Sequence, residues 1–349
     1  MKIGMIGAGA ISTLHMNAYA KIPGCEVTAI ADLNLPLAQG VADKYGIANV
    51  YSDYRNILAD ESIDAVSIVT PTFTHKNIAM DAIKANKHVL CEKPPALNAH
   101  ETREIVEAAK KYDKCFMFAF ALRFENEVTY LKDYVDSGKM GKIVCAQGAR
   151  LNTLSPAKGW FNSRAKGGGS LRDEGIHELD AMLYLMGYPK PKAVLAAADF
   201  SNKELLYRVK NCGKGWHSVD TTHYERDVED VIKGFVTFEN GASLIIGASS
   251  ILRATCERRY VEINGDTAGA MWSVDKRQLE MNEINGEDMS VVYTPDINKN
   301  NPFDSEIAHF VDCCLGKAES ICRVDEAVRL MEIIDAIYES ADKGIPIML

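Results

Sequence analysis

A chain of 349 residues, 47% hydrophobic and 25% charged, has an ordinary globular composition and is long enough for two cores of about 100–200 residues each. Its formal charge of −9 argues against nucleic acid and against anionic membrane surfaces, since phosphate would repel it. No run approaches the ~18 uninterrupted apolar residues of a membrane span, and the nine scattered cysteines include no Cys-x-x-Cys pair, so reduced thiols and a cytoplasmic location are expected.

The first residues already read as a strand, Ile3–Ile6, so no signal peptide is expected. Gly7-Ala8-Gly9-Ala10-Ile11-Ser12 follows, a glycine turn opening a helix. That order is the context a dinucleotide fingerprint needs: the backbone turns sharply, and a pyrophosphate can approach the helix N-terminal amides. The next apolar run, Val27–Ala31, closes on Asp32, an acid placed to accept hydrogen bonds from the adenosine ribose. These residues predict NAD or NADP as cofactor. Asp32 would repel a 2′-phosphate and no arginine follows at Leu33 or Asn34, so NAD is the expected preference.

Further strand signals lie at Ala65–Val69, His88–Cys91 and Phe116–Leu122, separated by helical patterns after the glycine turn, Pro36, Thr74 and Asn98. Glu101 lies three residues after Asn98, as in a capping box. Alternating strands and helices predict a doubly wound parallel sheet over residues 1–122. Beyond about Lys142 the pattern changes to Ile143–Ala149, Ala193–Ala198, Val231–Phe238 and Leu244–Ile251, with hairpin signals at Asn240-Gly241, Asn264-Gly265 and Asn285-Gly286. Closing helices are expected near Asp304–Leu315 and Asp325–Asp342. Residues 123–349 therefore read as a second, α+β domain on an open, mostly antiparallel sheet. Both odd and even positions of 231–238 and 244–251 are apolar, so both sheet faces should be buried, one of them by a second copy.

Chemistry-bearing residues gather at strand ends. Cys91-Glu92-Lys93-Pro94-Pro95 closes the His88 strand, which carries Lys93 to the ligand side of a parallel sheet, on backbone stiffened by two prolines. Thr70-Pro71-Thr72-Phe73-Thr74-His75 ends the preceding strand, so its amides and hydroxyls would line the same crevice; His75 could equally be a helix-start residue without a chemical role. Downstream, Gly167-Gly168-Gly169 leads into a helical pattern in which Asp173, His177, Asp180 and Tyr184 share one polar face. A carboxylate one turn from an imidazole can orient it as a general base, though such pairs are also common on helix surfaces. Only Cys212, His217 and His223 invite a metal, and their flanks read as loop, so no metal is expected.

Together, the glycine turn, Glu92-Lys93-Pro94 and the glycine run into Asp173-x-x-x-His177-x-x-Asp180 resemble the Gfo/Idh/MocA oxidoreductase family, in its inositol dehydrogenase-like branch. Arg123-Phe124, Ser137-Gly138 with Gly141-Lys142, and Asp335–Ala341 support the likeness, which is weakest from about Asn202 to Val228. The resemblance implies an N-terminal Rossmann domain and a C-terminal domain whose open sheet mediates dimers or tetramers. It also implies Lys93 as catalytic lysine and Asp173 and His177 as an acid–histidine pair. Two departures stand out: Ser12 replaces the third fingerprint glycine, and Glu125 and Asn126 follow Arg123-Phe124 where many relatives carry a proline nearby.

The expected reaction moves a hydride between nicotinamide and a secondary alcohol of a sugar, sugar derivative or cyclic polyol. In it His177 is the base, Asp173 its orienter, and Lys93 the cation that stabilises alkoxide charge. Gly7, Gly9, Ala10, Ile11, Asp32, Thr70, Pro71, Thr72, His75, Glu92 and Lys93 are the expected cofactor contacts. Arg123, Trp160, Asn162 and Arg164 join Lys93, Asp173 and His177 as expected substrate contacts, with Asp180 a further hydroxyl binder; Trp160 could instead be ordinary core. Two alternatives stay open: an NAD-dependent glycosidase or epimerase working by transient oxidation, and a nucleotide-binding regulator without catalysis.

Overall fold

The computed structural model describes residues 1–153, 159–201, 226–252, 258–284 and 290–349. They form two compact units, neither of them one continuous stretch: Met1–Phe124 with Asn300–Val328, and Glu125–Lys299 with Arg329–Leu349. The first unit's leading stretch ends at Phe124, and the chain returns to that unit at Asn300–Val328. Helix Pro302–Cys314 packs against helix Ala10–Tyr19 of the first unit, where Lys21 Nζ and Asp304 Oδ2 pair at 2.5 Å.

In the first unit, strands β1 (Lys2–Ile6), β2 (Glu26–Ala31), β3 (Asn49–Tyr51), β4 (Ala65–Ile68), β5 (His88–Glu92) and β6 (Phe116–Ala119) form one sheet in the order β3-β2-β1-β4-β5-β6. Every pairing is parallel. This is a dinucleotide-binding strand order, in which the chain reverses direction across the sheet between β1 and β4 and a crevice opens at their carboxyl ends. Helices α1 (Ala10–Tyr19), α2 (Leu35–Tyr45), α3 (Arg55–Ala59), α4 (Thr72–Lys84) and α5 (Ala99–Ala109) connect the strands. Two details differ from the sequence reading. Strand β3 is too short to show a periodicity. The strand expected through Leu122 stops at Ala119, because its neighbour β5 ends at Glu92 opposite it; Ala121–Phe124 then form a tight helical turn.

The second unit holds α6 (Asn126–Asp136), β7 (Ile143–Leu151), α7 (Ile176–Leu185), β8 (Pro191–Asp199), β9 (Val231–Phe238), β10 (Ser243–Ser249), β11 (Arg258–Gly265), β12 (Ala268–Ser273), β13 (Gln278–Ile284) and β14 (Ser290–Tyr293). A short β15 (Ile347–Met348) completes its sheet, ordered β14-β13-β12-β11-β7-β10-β9-β8-β15. All pairings are antiparallel except β7 with β10. The closing helices are α8 (Pro302–Cys314) and α9 (Val324–Lys343). Asn240-Gly241 forms the expected β9–β10 turn, with Gly241 at φ 88°. Asn264-Gly265, by contrast, ends β11, and the turn is Asp266-Thr267; Asn285-Gly286 lies outside the described residues.

Helix α7 packs on one face of this sheet, against β7, β10 and β11. On the opposite face, Leu195, Phe235, Ile245, Gln147, Glu262 and Met271 stand in register across six neighbouring strands. Directly opposed cross-strand partners share a face. Leu195, Phe235, Ile245 and Met271 are all exposed, so this face is apolar and open within the chain. Among the described residues the seven cysteines are free thiols, and no helix is long and apolar enough to cross a membrane.

At the start of α6, two buried carboxylates share one cation: Arg277 Nη2 contacts Glu125 and lies 3.2 Å from Glu127 Oε2. Burial pushes Glu125 up to about 7, helped by Glu127 and opposed by Arg277. A carboxyl raised on folding stabilises the fold below its unfolded value, and that contribution is lost as pH rises toward 7. Glu125→Gln mimics the protonated form. Its melting temperature should therefore fall less than the wild type's between about pH 5 and pH 8; identical slopes in thermal melts would count against this.

Candidate active site

The first unit's site begins where β1 meets α1. Gly7 has φ +108°, and a Cβ there would lie 2.7 Å from the Val69 carbonyl oxygen, so the turn requires glycine. A Cβ on Gly9 would meet nothing within 4 Å, which leaves the mouth of α1 open. No side chain caps α1 and no acid occupies its first turn, so the amides of Ala10 and Ile11 face an unclaimed anion position. Ser12, at the third fingerprint position, is buried and donates its hydroxyl to Gly9 O at 2.6 Å, so the larger residue fits. Asp32 accepts the Ala8 and Asn34 amides, each at 2.8 Å, which fixes its carboxylate beside the glycine turn. These groups fit a dinucleotide pyrophosphate and its adenosine ribose.

At the ends of β4 and β5, the Thr70 and Pro94 backbones are joined through one buried histidine. His75 is 1% exposed, and its two ring nitrogens lie 2.8 Å from the carbonyl oxygens of Pro94 and Thr70. Carbonyls only accept, so the neutral ring satisfies one and the imidazolium both. Burial pulls the ring below its ordinary value, against the pull of the two carbonyls and Glu92. Both ring nitrogens of His75 are therefore turned to backbone carbonyls, and the side chain braces the loop from within. Thr72 is buried as well, and its hydroxyl has no protein partner among the described residues. Thr74 Oγ1 lies 2.7 Å from both Thr70 Oγ1 and Pro71 O, tying the turn into α4. Glu92 is buried at the end of β5. Burial alone would raise its carboxyl, but His15, Lys93 and His75 outweigh that and hold it below the usual glutamate value. Its Oε2 accepts the Lys93 amide at 3.1 Å, and Lys93 itself is half-buried.

The second unit's site is built around a carboxylate that sequence reasoning missed. Glu229 is fully buried, and its Oε1 accepts the Ser170 hydroxyl at 2.9 Å, the Leu171 amide at 3.1 Å and the Tyr338 hydroxyl at 2.9 Å. Burial and Glu229 push the Tyr338 phenol up, so it stays a donor. Gly169 (φ +120°) lets the backbone pass this cluster, since a Cβ would lie 2.5 Å from Tyr338 Oη. Leu171–Gly175 then makes a π-helical turn that carries Asp173 and runs directly into α7, which carries His177. Such turns are rare and concentrate at functional sites. Glu174 pairs with Arg150 on β7 at 2.6 Å, and Glu178 with Arg259 on β11 at 3.0 Å. The helix is thus pinned to the sheet on that face, and Asp173 and His177, each one residue earlier, are half-buried.

Several expected substrate contacts are committed elsewhere. Arg123 is 1% exposed and donates to Glu326 at 2.6 Å and to Ile321 O at 2.9 Å, within the first unit. Arg164 forms a two-pronged pair with Asp342 at 3.0 and 3.1 Å and lies over the Tyr338 ring, which Arg172 also contacts. Asp180 is 1% exposed and accepts the Tyr188 hydroxyl, so it is not on the polar face with His177. Asn162 is buried, and its backbone carbonyl accepts the Asp227 amide at 3.2 Å, a bond that does not engage its side chain. Trp160 is half-buried and stacks on Phe161 at 3.8 Å. Each partner of the two arginines lies far along the chain, which is why local pattern could not reveal it. Among the described residues no three His, Cys, Asp or Glu side chains converge as a metal site; Cys212, His217 and His223 fall outside them.

A dinucleotide cradle on a doubly wound sheet, together with a second unit carrying an acid–histidine helix on an open sheet, defines an NAD-binding oxidoreductase of two units. The chain belongs to the Gfo/Idh/MocA family: residues 1–120 match its model for an oxidoreductase NAD-binding Rossmann fold, and residues 132–349 its C-terminal alpha/beta domain. It is similar to the D-glucoside 3-dehydrogenase of Escherichia coli, 31% identical over 99% of this chain and 96% of the relative. The levoglucosan dehydrogenase of Pseudarthrobacter phenanthrenivorans is 30% identical over 79% of this chain and 74% of the relative. The myo-inositol 2-dehydrogenase of Thermotoga maritima is 32% identical over 54% and 55%. A levoglucosan dehydrogenase solved with NADH and levoglucosan shares the fold, with TM-score 0.84 and 24% identity over 100% of this chain and 99% of that one.

Asp32 sets the cofactor prediction. NAD should exceed NADP in kcat/KM, and Asp32→Asn should narrow the gap by removing the charge that repels a 2′-phosphate. Steady-state kinetics with both cofactors tests this, and an unchanged ratio in the variant would mean that Asp32 does not select.

Proposed function

We propose that this protein is an NAD-dependent dehydrogenase acting on a secondary hydroxyl of a sugar, a glycoside or a cyclic polyol. The observation that carries the reading is the uncapped mouth of α1 at the sheet's reversal point, with Lys93 fixed at the neighbouring end of β5. The substrate class follows from the end-to-end likeness to a glucoside dehydrogenase. Bound nicotinamide supplies the hydride acceptor. The protein's residues handle the proton and the charge: His177 takes the hydroxyl proton, Asp173 stabilises the resulting imidazolium, and the Lys93 ammonium stabilises the developing alkoxide. The Trp160–Phe161 stack offers an apolar wall for a sugar ring.

Sugars, glycosides, sugar acids and inositols, screened with NAD by NADH absorbance, test the reading. At least one should give sustained NADH formation; none doing so, with a glycoside cleaved or epimerised instead, would favour transient oxidation. With the active sugar, Lys93→Met and His177→Ala should each lower kcat by about a hundredfold or more, as loss of a positioned acid or base does. NADH affinity should change far less, and Asp173→Asn should slow turnover more mildly. A His177→Ala enzyme with near-normal kcat would move the proton to another group.

The open row Leu195–Phe235–Ile245–Met271 supports a homodimer or homotetramer formed through the sheet. Light scattering at micromolar concentration should return a multiple of the chain mass, and charged substitutions at Phe235 and Ile245 should lower it. A monomeric wild type would overturn this assembly.

A further inference from the structure

His15 is the one fully buried histidine of α1, the helix whose first turn forms the cofactor cradle. Its Nε2 lies 3.1 Å from Glu92 Oε1, and its Nδ1 is 3.5 Å from Ser67 Oγ, which is 2.8 Å from the Tyr19 hydroxyl. A carboxylate only accepts, so Nε2 carries the proton toward Glu92. The remaining donors then run in one direction: Tyr19 to Ser67, Ser67 to Nδ1, Nε2 to Glu92, and the Lys93 amide to the other Glu92 oxygen. Burial pushes the Tyr19 phenol well up, which keeps it a donor at the head of this chain. A neutral imidazole satisfies every link. The line starts inside α1 and ends on the backbone of Lys93, while His75 holds the following residue, Pro94, from the other side.

A buried ionisable pair is costly unless each member satisfies the other, and substituting apolar residues for it is often harmless to stability. Its geometry here does something an apolar pair could not do. It ties the helix whose first turn forms the cradle to the strand end that carries Lys93.

We propose that His15 is a positioning residue: through Glu92 it holds Lys93 in register with the cofactor cradle of α1. This rests on the dehydrogenase reading above, in which Lys93 meets the substrate oxygen. A misplacement of about 1 Å can cost on the order of a hundredfold in rate. His15→Leu should therefore lower kcat by about tenfold or more, with the NADH dissociation constant, measured by fluorescence without substrate, changed less than about threefold. His15→Gln, whose amide can place a donor near Nε2, should recover much of the loss. Adding His15→Leu to Glu92→Gln should cost little more than Glu92→Gln alone, because the two act as a unit.

One arm needs no turnover. In the cofactor-free protein, His15→Leu should shift the Lys93 amide resonance, whereas the amides of β12 and β13 in the other unit should stay in place. A wild type inert toward every sugar would overturn the dehydrogenase reading but not this arm. The positioning role itself is overturned if the Lys93 amide does not move. It is equally overturned if His15→Leu keeps kcat within about twofold of wild type, or if the Gln variant, folded by its thermal melt, is as slow as the Leu variant.

Discussion

The carboxylate of Glu92 is the constraint on which the nucleotide-binding unit depends. It is buried at the end of β5, where an unpaired charge would cost several kcal/mol. That cost is met by partners that come from separate elements: His15 of α1 on one oxygen and the Lys93 amide on the other. The sheet order brings those elements together, since β1, β4 and β5 are consecutive neighbours and α1 leaves directly from β1. Fold, the hydrogen bonding of the buried carboxylate and the placement of the Lys93 backbone are therefore one arrangement. Moving any one of the three leaves a buried polar group without its partner.

The second unit solves a similar problem with Glu229. Three donors, two of them at the start of the π-helical turn, converge on one buried carboxylate oxygen. A buried polar group needs partners, and these three donors supply them to Glu229 at the point where the backbone makes the irregular turn. Glu174 and Glu178 then fix the helix to β7 and β11. In each unit a buried acid fixes the backbone next to a residue proposed for the chemistry: Glu92 beside Lys93, and Glu229 at the turn that leads to Asp173.

What could be read from the sequence was what is local. The glycine turn, Asp32 and the Glu92-Lys93-Pro94 strand end all follow from spacing within a few tens of residues, and the structure places them at the carboxyl ends of one parallel sheet. What escaped that reading was set by tertiary partners and by local irregularity. Arg123 and Arg164 look like free cations because their acids, Glu326 and Asp342, lie 203 and 178 residues away. Asp180 fits a polar helical face until Tyr188 claims it inside the core. The π-helical turn at Leu171–Gly175 breaks the helical periodicity that suggested a continuous face from Asp173. The return of α8 to the first unit depends on packing against α1, which no composition shift marks. Glu229 gave no signal at all, being 59 residues from the serine it holds.

If this protein is the dehydrogenase proposed, the sugar's own hydrogen ends on the cofactor. A single turnover of the active sugar, deuterated at the carbon that is oxidised, followed by mass analysis of both products, tests this directly. One deuterium should appear on the reduced nicotinamide, and a ketone at the labelled carbon. Deuterium returned to a sugar product, or lost to water with no reduced cofactor remaining, would contradict it.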